Sequence, residues 1–122
     1  MGAKVRKERD RQLDIEVSKG KLEKIAEIFR AFAEPTRLTL LQGLRGHDEL
    51  SVGELVELSG TTQANVSKHL KVLHGVGLLN RQRRGNQTFY GISDPIVVEL
   101  LQAVCGKLNR EALESAQVDY SL

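Results

Sequence analysis

Residues 51–74 read SVGELVELSGTTQANVSKHLKVLH, and this stretch decides the fold. Ser51-Val52-Gly53-Glu54 has the form of a capping box: the serine hydroxyl meets the Glu54 amide, and the glutamate reaches back to the serine amide. Val52, Leu55, Val56 and Leu58 carry a helix on from that cap, and Gly60 closes it. Thr61 or Thr62 caps the next helix, which runs through His74 and ends at Gly75. Two short helices joined by a tight turn containing glycine form a helix-turn-helix. At 100° per residue, Val66, Leu70 and Leu73 share the side of the second helix that must face a core. Ala64, Ser67, Lys68 and Lys71 fall opposite, with Gln63 at the amino-terminal shoulder.

Downstream the periodicity changes. Leu78 to Arg83 and Thr88 to Ile92 are short strand candidates, with Arg84-Gly85-Asn86-Gln87 as a hairpin turn between them. A basic hairpin directly after a helix-turn-helix is a wing. Asp94-Pro95 opens a last helix with Val97, Leu101, Val104 and Leu108 on one stripe, and residues beyond Asn109 read as a fraying end. Upstream, Leu22, Ile25, Ala26, Phe29 and Ala33 recur at helical spacing. Pro35 ends that helix and suits the first position of the next, where Leu38, Leu41 and Leu44 continue until a stop around Gly43 to Gly46. The expected architecture is mainly α, with about five helices and a small β-hairpin wing. Residues 1–18 form a basic arm, 19–109 the winged helix-turn-helix domain and 110–122 a tail.

Composition narrows the function. The chain has 122 residues, 40% hydrophobic and 28% charged, which fits one globular domain. No apolar run approaches the ~18 residues of a membrane span. The basic start (Lys4, Arg6, Lys7, Arg9, Arg11) is followed by Asp10, Asp14 and Glu16 rather than a signal-peptide core, so the expected compartment is the cytoplasm, with no membrane partner. One cysteine, Cys105, excludes an internal disulfide framework and a cysteine-based zinc knuckle. Aromatics at 4% argue against a single-strand binder that stacks bases on rings.

The net charge of +2 conceals its distribution. Residues 61–93 contain no Asp or Glu, but carry Lys68, Lys71, Arg81, Arg83 and Arg84. The rest of the chain is net acidic. A helix-turn-helix, an acid-free basic segment and a basic hairpin in succession mark a face for double-stranded DNA. A major groove accepts one helix: Gln63 suits adenine, Ser67 several bases and Ala64 a thymine methyl, while Lys68 and Lys71 serve phosphates or guanine. Thr62 joins this set at the helix start, and Arg83, Arg84, Asn86 and Gln87 would reach backbone or minor groove from the wing.

In this combination the chain resembles the ArsR/SmtB family of bacterial winged-helix repressors, from about Leu22 to Leu108. The residues that carry the likeness are Phe32-Ala33-Glu34-Pro35-Thr36-Arg37-Leu38, Ser51 to Leu55, Asn65 to Leu73, and Gly77-Leu78-Leu79 through Arg84-Gly85 to Phe89-Tyr90. The resemblance implies a homodimer through the first and last helices, on Leu22, Ile25, Phe29, Val97, Leu101, Val104 and Leu108, and a palindromic operator as its partner. It also implies base contacts from Gln63, Ala64, Ser67 and Lys68. One metal site of the family uses Cys-Val-Cys where Ser51-Val52-Gly53 stands here; another would match Asp94 but finds Ile96, Lys107 and Arg110 at its other positions. No metal or other cofactor is therefore expected, and the effector is left unknown.

The remaining candidates are weaker. His47-Asp48-Glu49 has ligand types in a loop but falls short of a zinc set. His69 and His74 read as structural. Cys105, one turn after Leu101, is a small hydrophobe in a stripe or, alternatively, a redox or thiol sensor near a dimer axis. A winged helix that binds protein is the other alternative, disfavoured by the uniformly basic face. No phosphate loop, nucleophile elbow or His-Glu helix motif points to an enzyme.

Overall fold

Proline at position 35 divides the first two helices. In the computed structural model, which describes residues 19–115, α1 covers residues 19–32 and α2 covers Pro35–Leu44. The basic arm over 1–18 and the tail from 116 onward lie outside the described residues. Glu34 caps α2 in an extended conformation, its carboxylate accepting from the Arg37 amide at 2.9 Å. Leu40, Leu41 and Leu44 are buried, whereas Leu38, expected in the core stripe, is only half-buried. Gly43 sits inside α2 rather than stopping it. A Cβ there would lie 2.7 Å from a Leu58 methyl, so the glycine lets the third helix approach. The turn after the helix falls at Gly46, where φ is +83°.

A two-residue strand, β1 (Leu50–Ser51), precedes α3 (Val52–Ser59). The capping box is formed: the Ser51 hydroxyl accepts from the Glu54 amide, and the Glu54 carboxylate accepts from the Ser51 amide. Gly60 ends α3 with φ +68°, a left-handed conformation cheap only for glycine. Thr62 is the residue that caps α4 (Gln63–Gly75), its hydroxyl accepting from the Asn65 amide at 3.2 Å. Val66, Leu70 and Leu73 are fully buried, as the wheel requires.

The hairpin consists of β2 (Leu79–Arg84) and β3 (Gln87–Ile92), joined by Gly85-Asn86 with Gly85 at φ +63°. The turn is thus two residues, and Arg84 and Gln87 are paired strand residues rather than turn residues. Leu78, expected in the strand, lies in the bend before it and donates its amide to the Leu73 carbonyl. β1 adds to the sheet in the order β1-β3-β2, all antiparallel, with Leu50 opposite Tyr90 and Ser51 opposite Phe89. Asp94 accepts from the Ile96 amide and starts α5 (Ile96–Ser115), which continues beyond Asn109, the residue where fraying was expected. Ala112 in that extension is buried.

One core joins these elements. Leu40, Leu41, Leu44, Leu55, Leu70, Leu73, Val66 and Val97 are fully buried in it, with Tyr90 and Leu79 closing the sheet side. Its aliphatic makeup follows from the composition: each buried leucine contributes roughly 1.5–3 kcal/mol, and no tryptophan is present to anchor it.

Candidate nucleic-acid interface

The capped start of α3, the outer face of α4 and the wing converge on one open groove of about 370 Å³. Gln63, Ser67 and Lys71 line it from α4, at helical steps of four residues. Arg81, Asn86, Gln87, Thr88 and Tyr90 line it from the hairpin, and Ser51, Val52 and Gly53 close its floor. No acidic residue lines it. Thr62, Ala64 and Lys68 are exposed on the same helix just outside it. Thr62 also has a structural duty, because its hydroxyl is the α4 cap.

The cations divide into two groups. Among the described residues, Lys68, Lys71 and Arg81 are exposed and engage no carboxylate. Arg84, expected to reach DNA backbone or minor groove, pairs with Glu49 in the free protein and lies over the Phe89 ring, 4.0 Å from its centroid. Arg83, also expected there, turns its Nε to the Gly85 carbonyl at 3.3 Å and stands outside the groove lining. Both remain exposed. Arg81 is the groove cation that the list of expected contacts omitted. Its signal was available: it is two residues beyond buried Leu79, and alternate strand residues share a face.

The candidate loop ligands are spoken for differently. The Glu49 carboxylate goes to Arg84 rather than to His47 or Asp48. His74 meets the Tyr90 ring edge-on at 6.3 Å between centroids. His69 is buried on α4, with Nδ1 3.1 Å from an Arg37 nitrogen.

Two carboxyls have shifted titration. Partial desolvation pushes Glu34 up. Hydrogen bonds from the Arg37 and Thr36 amides, the charge of Arg37 and the charge that His69 carries when its ring is doubly protonated outweigh it and hold the group below the ordinary glutamate value. The Ser51 amide and hydroxyl hold Glu54 down likewise, against slight desolvation and with help from His47.

A second surface is apolar. Leu22, Ile25 and Phe29 on α1 and Val104 on α5 are exposed, Phe29 at 58%. Leu101 and Leu108 are half-buried, as is the free thiol of Cys105. Val97, expected on this surface, is 0% exposed inside the protomer's own core. Ile96 and Leu113 are exposed apolar residues on α5 that the stripe reading left out. Among the described residues no helix is long and apolar enough to cross a membrane.

Comparison with known proteins agrees with this geometry. Residues 32–82 match a family model described as a helix-turn-helix domain. An uncharacterized HTH-type transcriptional regulator of Methanocaldococcus jannaschii is 36% identical over 84 residues, which cover 69% of this chain and 94% of that protein. A transcriptional repressor SmtB homolog of Synechocystis is 32% identical over 102 residues, covering 83% of this chain and 76% of that one. The solution structure of a homodimeric winged helix-turn-helix DNA-binding domain from Mycobacterium bovis, a possible ArsR-family regulator, superposes with a TM-score of 0.67. It is 26% identical and covers 86% of this chain and 94% of that domain.

Proposed function

The chain belongs to the ArsR/SmtB family of winged helix-turn-helix transcriptional regulators, and from that premise we propose that it is a repressor that seats on a palindromic operator as a homodimer. The observation that carries the reading is the acid-free groove in which Gln63, Ser67 and Lys71 of α4 meet Arg81, Asn86 and Gln87 of the wing. A helix in the major groove presents amide and hydroxyl groups to base edges, while the flanking cations hold phosphates. Phosphate contacts supply most of the affinity and the base contacts the register.

Dimerisation explains the other surface. Leu22, Ile25 and Phe29 of α1 and Val104 of α5 are large apolar side chains left exposed, with Leu101 and Leu108 of α5 half-buried, a pattern that suits faces covered by a second copy. A two-fold axis through these faces puts two reading helices on one side of a duplex, with half-sites one turn apart, ~34–36 Å. A dimer bound across a promoter excludes the polymerase, and such a protein works where the chromosome is, in the cytoplasm.

Fluorescence anisotropy with duplexes from the upstream region of the chain's own gene and scrambled duplexes, at two salt concentrations, tests this. The expected result is selective binding that weakens ~10³–10⁵-fold between 50 and 200 mM salt if the dimer neutralises ~6–10 phosphates. Equal binding to both duplexes, or none, would sink the proposal.

A further inference from the structure

The guanidinium of Arg37 joins two parts of the molecule that have different duties. Its Nε donates to the Ala31 carbonyl at 2.7 Å and one Nη to the Arg30 carbonyl at 3.0 Å, both in the last turn of α1. Its other Nη lies 3.1 Å from Nδ1 of His69, midway along α4. A guanidinium has donors only, so Nδ1 is the acceptor and the ring proton is on Nε2. The Glu34 carboxylate, 3.7 Å from Nδ1, is beyond hydrogen-bond reach and holds the Arg37 amide instead. The last carbonyls of a helix favour a cation, and the Arg30 carbonyl takes Arg37 beside the Ala33 amide, which donates to it at 3.1 Å. A planar fork that satisfies two of them has no freedom left in where it points its third donor.

We infer that Arg37 is a positioning residue that fixes the reading helix against the dimerising helix, and so sets which half-site spacing the dimer accepts. The inference rests on the dimeric operator-binding reading above. α1 carries the exposed Leu22, Ile25 and Phe29 on which the second copy seats. The angle between α1 and α4 therefore fixes the distance between the two reading helices. His69 follows Lys68 directly in α4, so a bond to its ring holds that helix within one residue of its exposed face.

The test compares spacing selectivity, not affinity. Duplexes carrying the palindrome that the unmutated chain selects from a random pool are prepared with the centre unchanged, or longer or shorter by one base pair. The unmutated dimer should prefer the unchanged centre by about tenfold or more, the scale of one mismatched pair, and Arg37→Lys should bring that ratio to within about threefold. A lysine is a point charge that cannot bridge both carbonyls and the ring. A merely structural role would weaken binding to all three duplexes by one factor and leave the ratio unchanged.

His69→Asn and His69→Leu give a second reading should Arg37→Lys fold poorly. The asparagine carbonyl can stand in for Nδ1 and should keep the preference, and leucine should lose it. A full preference retained in Arg37→Lys, or in His69→Leu, overturns the inference while leaving the operator reading intact. An unmutated chain that selects no palindrome overturns both.

Discussion

Arg84 lies over the ring of Phe89, with its guanidinium carbon 4.0 Å from the ring centroid, and pairs with the Glu49 carboxylate. Three segments meet in this contact: the loop before β1 and both strands of the wing. It also spends a wing cation within the protein. Glu49→Gln should release Arg84 toward DNA. An exposed pair of this kind is worth at most about 1 kcal/mol, so scrambled duplexes should bind up to roughly fivefold tighter, with a steeper salt slope. Arg84→Ala in the same background should abolish the gain. Superimposable salt titrations of Glu49→Gln and the unmutated chain would count against it.

The unengaged cations should behave otherwise. Lys71→Ala and Arg81→Ala should each flatten the slope of log affinity against log salt by about 0.9 per lost phosphate contact, counted twice in a dimer. Gln63→Ala should leave that slope alone and reduce discrimination between operator and scrambled duplex by ~1–3 kcal/mol if its amide reads a base. A changed slope in Gln63→Ala would reassign that residue to the backbone.

Val97 and Val104 sit on one helix and should fail in different ways. Val97→Ala opens a cavity in a fully buried site and should lower the unfolding free energy by about 2 kcal/mol, seen as a lower urea midpoint at every protein concentration. Val104→Ser alters an exposed residue and should instead weaken self-association, seen by sedimentation at falling concentration. Matching behaviour of the two variants would contradict the assignment of Val104 to the dimer surface.

Two glycines give a sharper contrast. A Cβ at Gly91 would stand 2.3 Å from the Asp48 carbonyl oxygen, which is backbone and cannot step aside cheaply. Gly91→Ala should cost ~1–3 kcal/mol, and Tm should fall by roughly 4–8 °C for each kcal/mol. At Gly43 the obstacle is the end of the Leu58 side chain, and alanine gains about 1 kcal/mol of helix propensity. Gly43→Ala should therefore be nearly neutral in the same melting experiment.

Acid should loosen the helix caps. Glu34 and Glu54 have folded pKa values below their unfolded ones, so their ionised forms favour the folded state. That contribution is complete above the ordinary glutamate value of about 4.3 and is lost as pH falls through the lower folded values. Urea midpoints at pH 6 and 3.5 should differ less in Glu34→Gln/Glu54→Gln than in the unmutated chain. An equal difference would show that other groups govern acid unfolding.

Much of this was legible because it is local. The Ser51 capping box, the Gly60 stop, a threonine cap at 61 or 62 and the Val66, Leu70, Leu73 stripe each depend on residues within one or two helical turns. What stayed hidden depends on distant partners. β1 is two residues with no pattern of its own, paired to strand residues far along the chain. The charge of Arg84 was plain, but not that Glu49 lies within reach of it. Val97 shares the α5 stripe with Val104, but only packing decides that one turns to the protomer's core and the other to solvent. Helical periodicity marks an apolar side without saying which body covers each part of it.

The two-residue strand carries a last consequence. Ser51 caps α3, pairs opposite Phe89 in the sheet and lines the floor of the groove. Wing and helix-turn-helix are thus cast as one piece, and the hairpin is no detachable arm. A chimera that moves residues 79–92 alone into another scaffold carries along a β3 edge that has lost its β1 partner. A transplant that keeps the sheet whole must begin no later than Leu50 and must also bring a cover for the core that Leu40, Leu41, Leu44 and Val97 complete here.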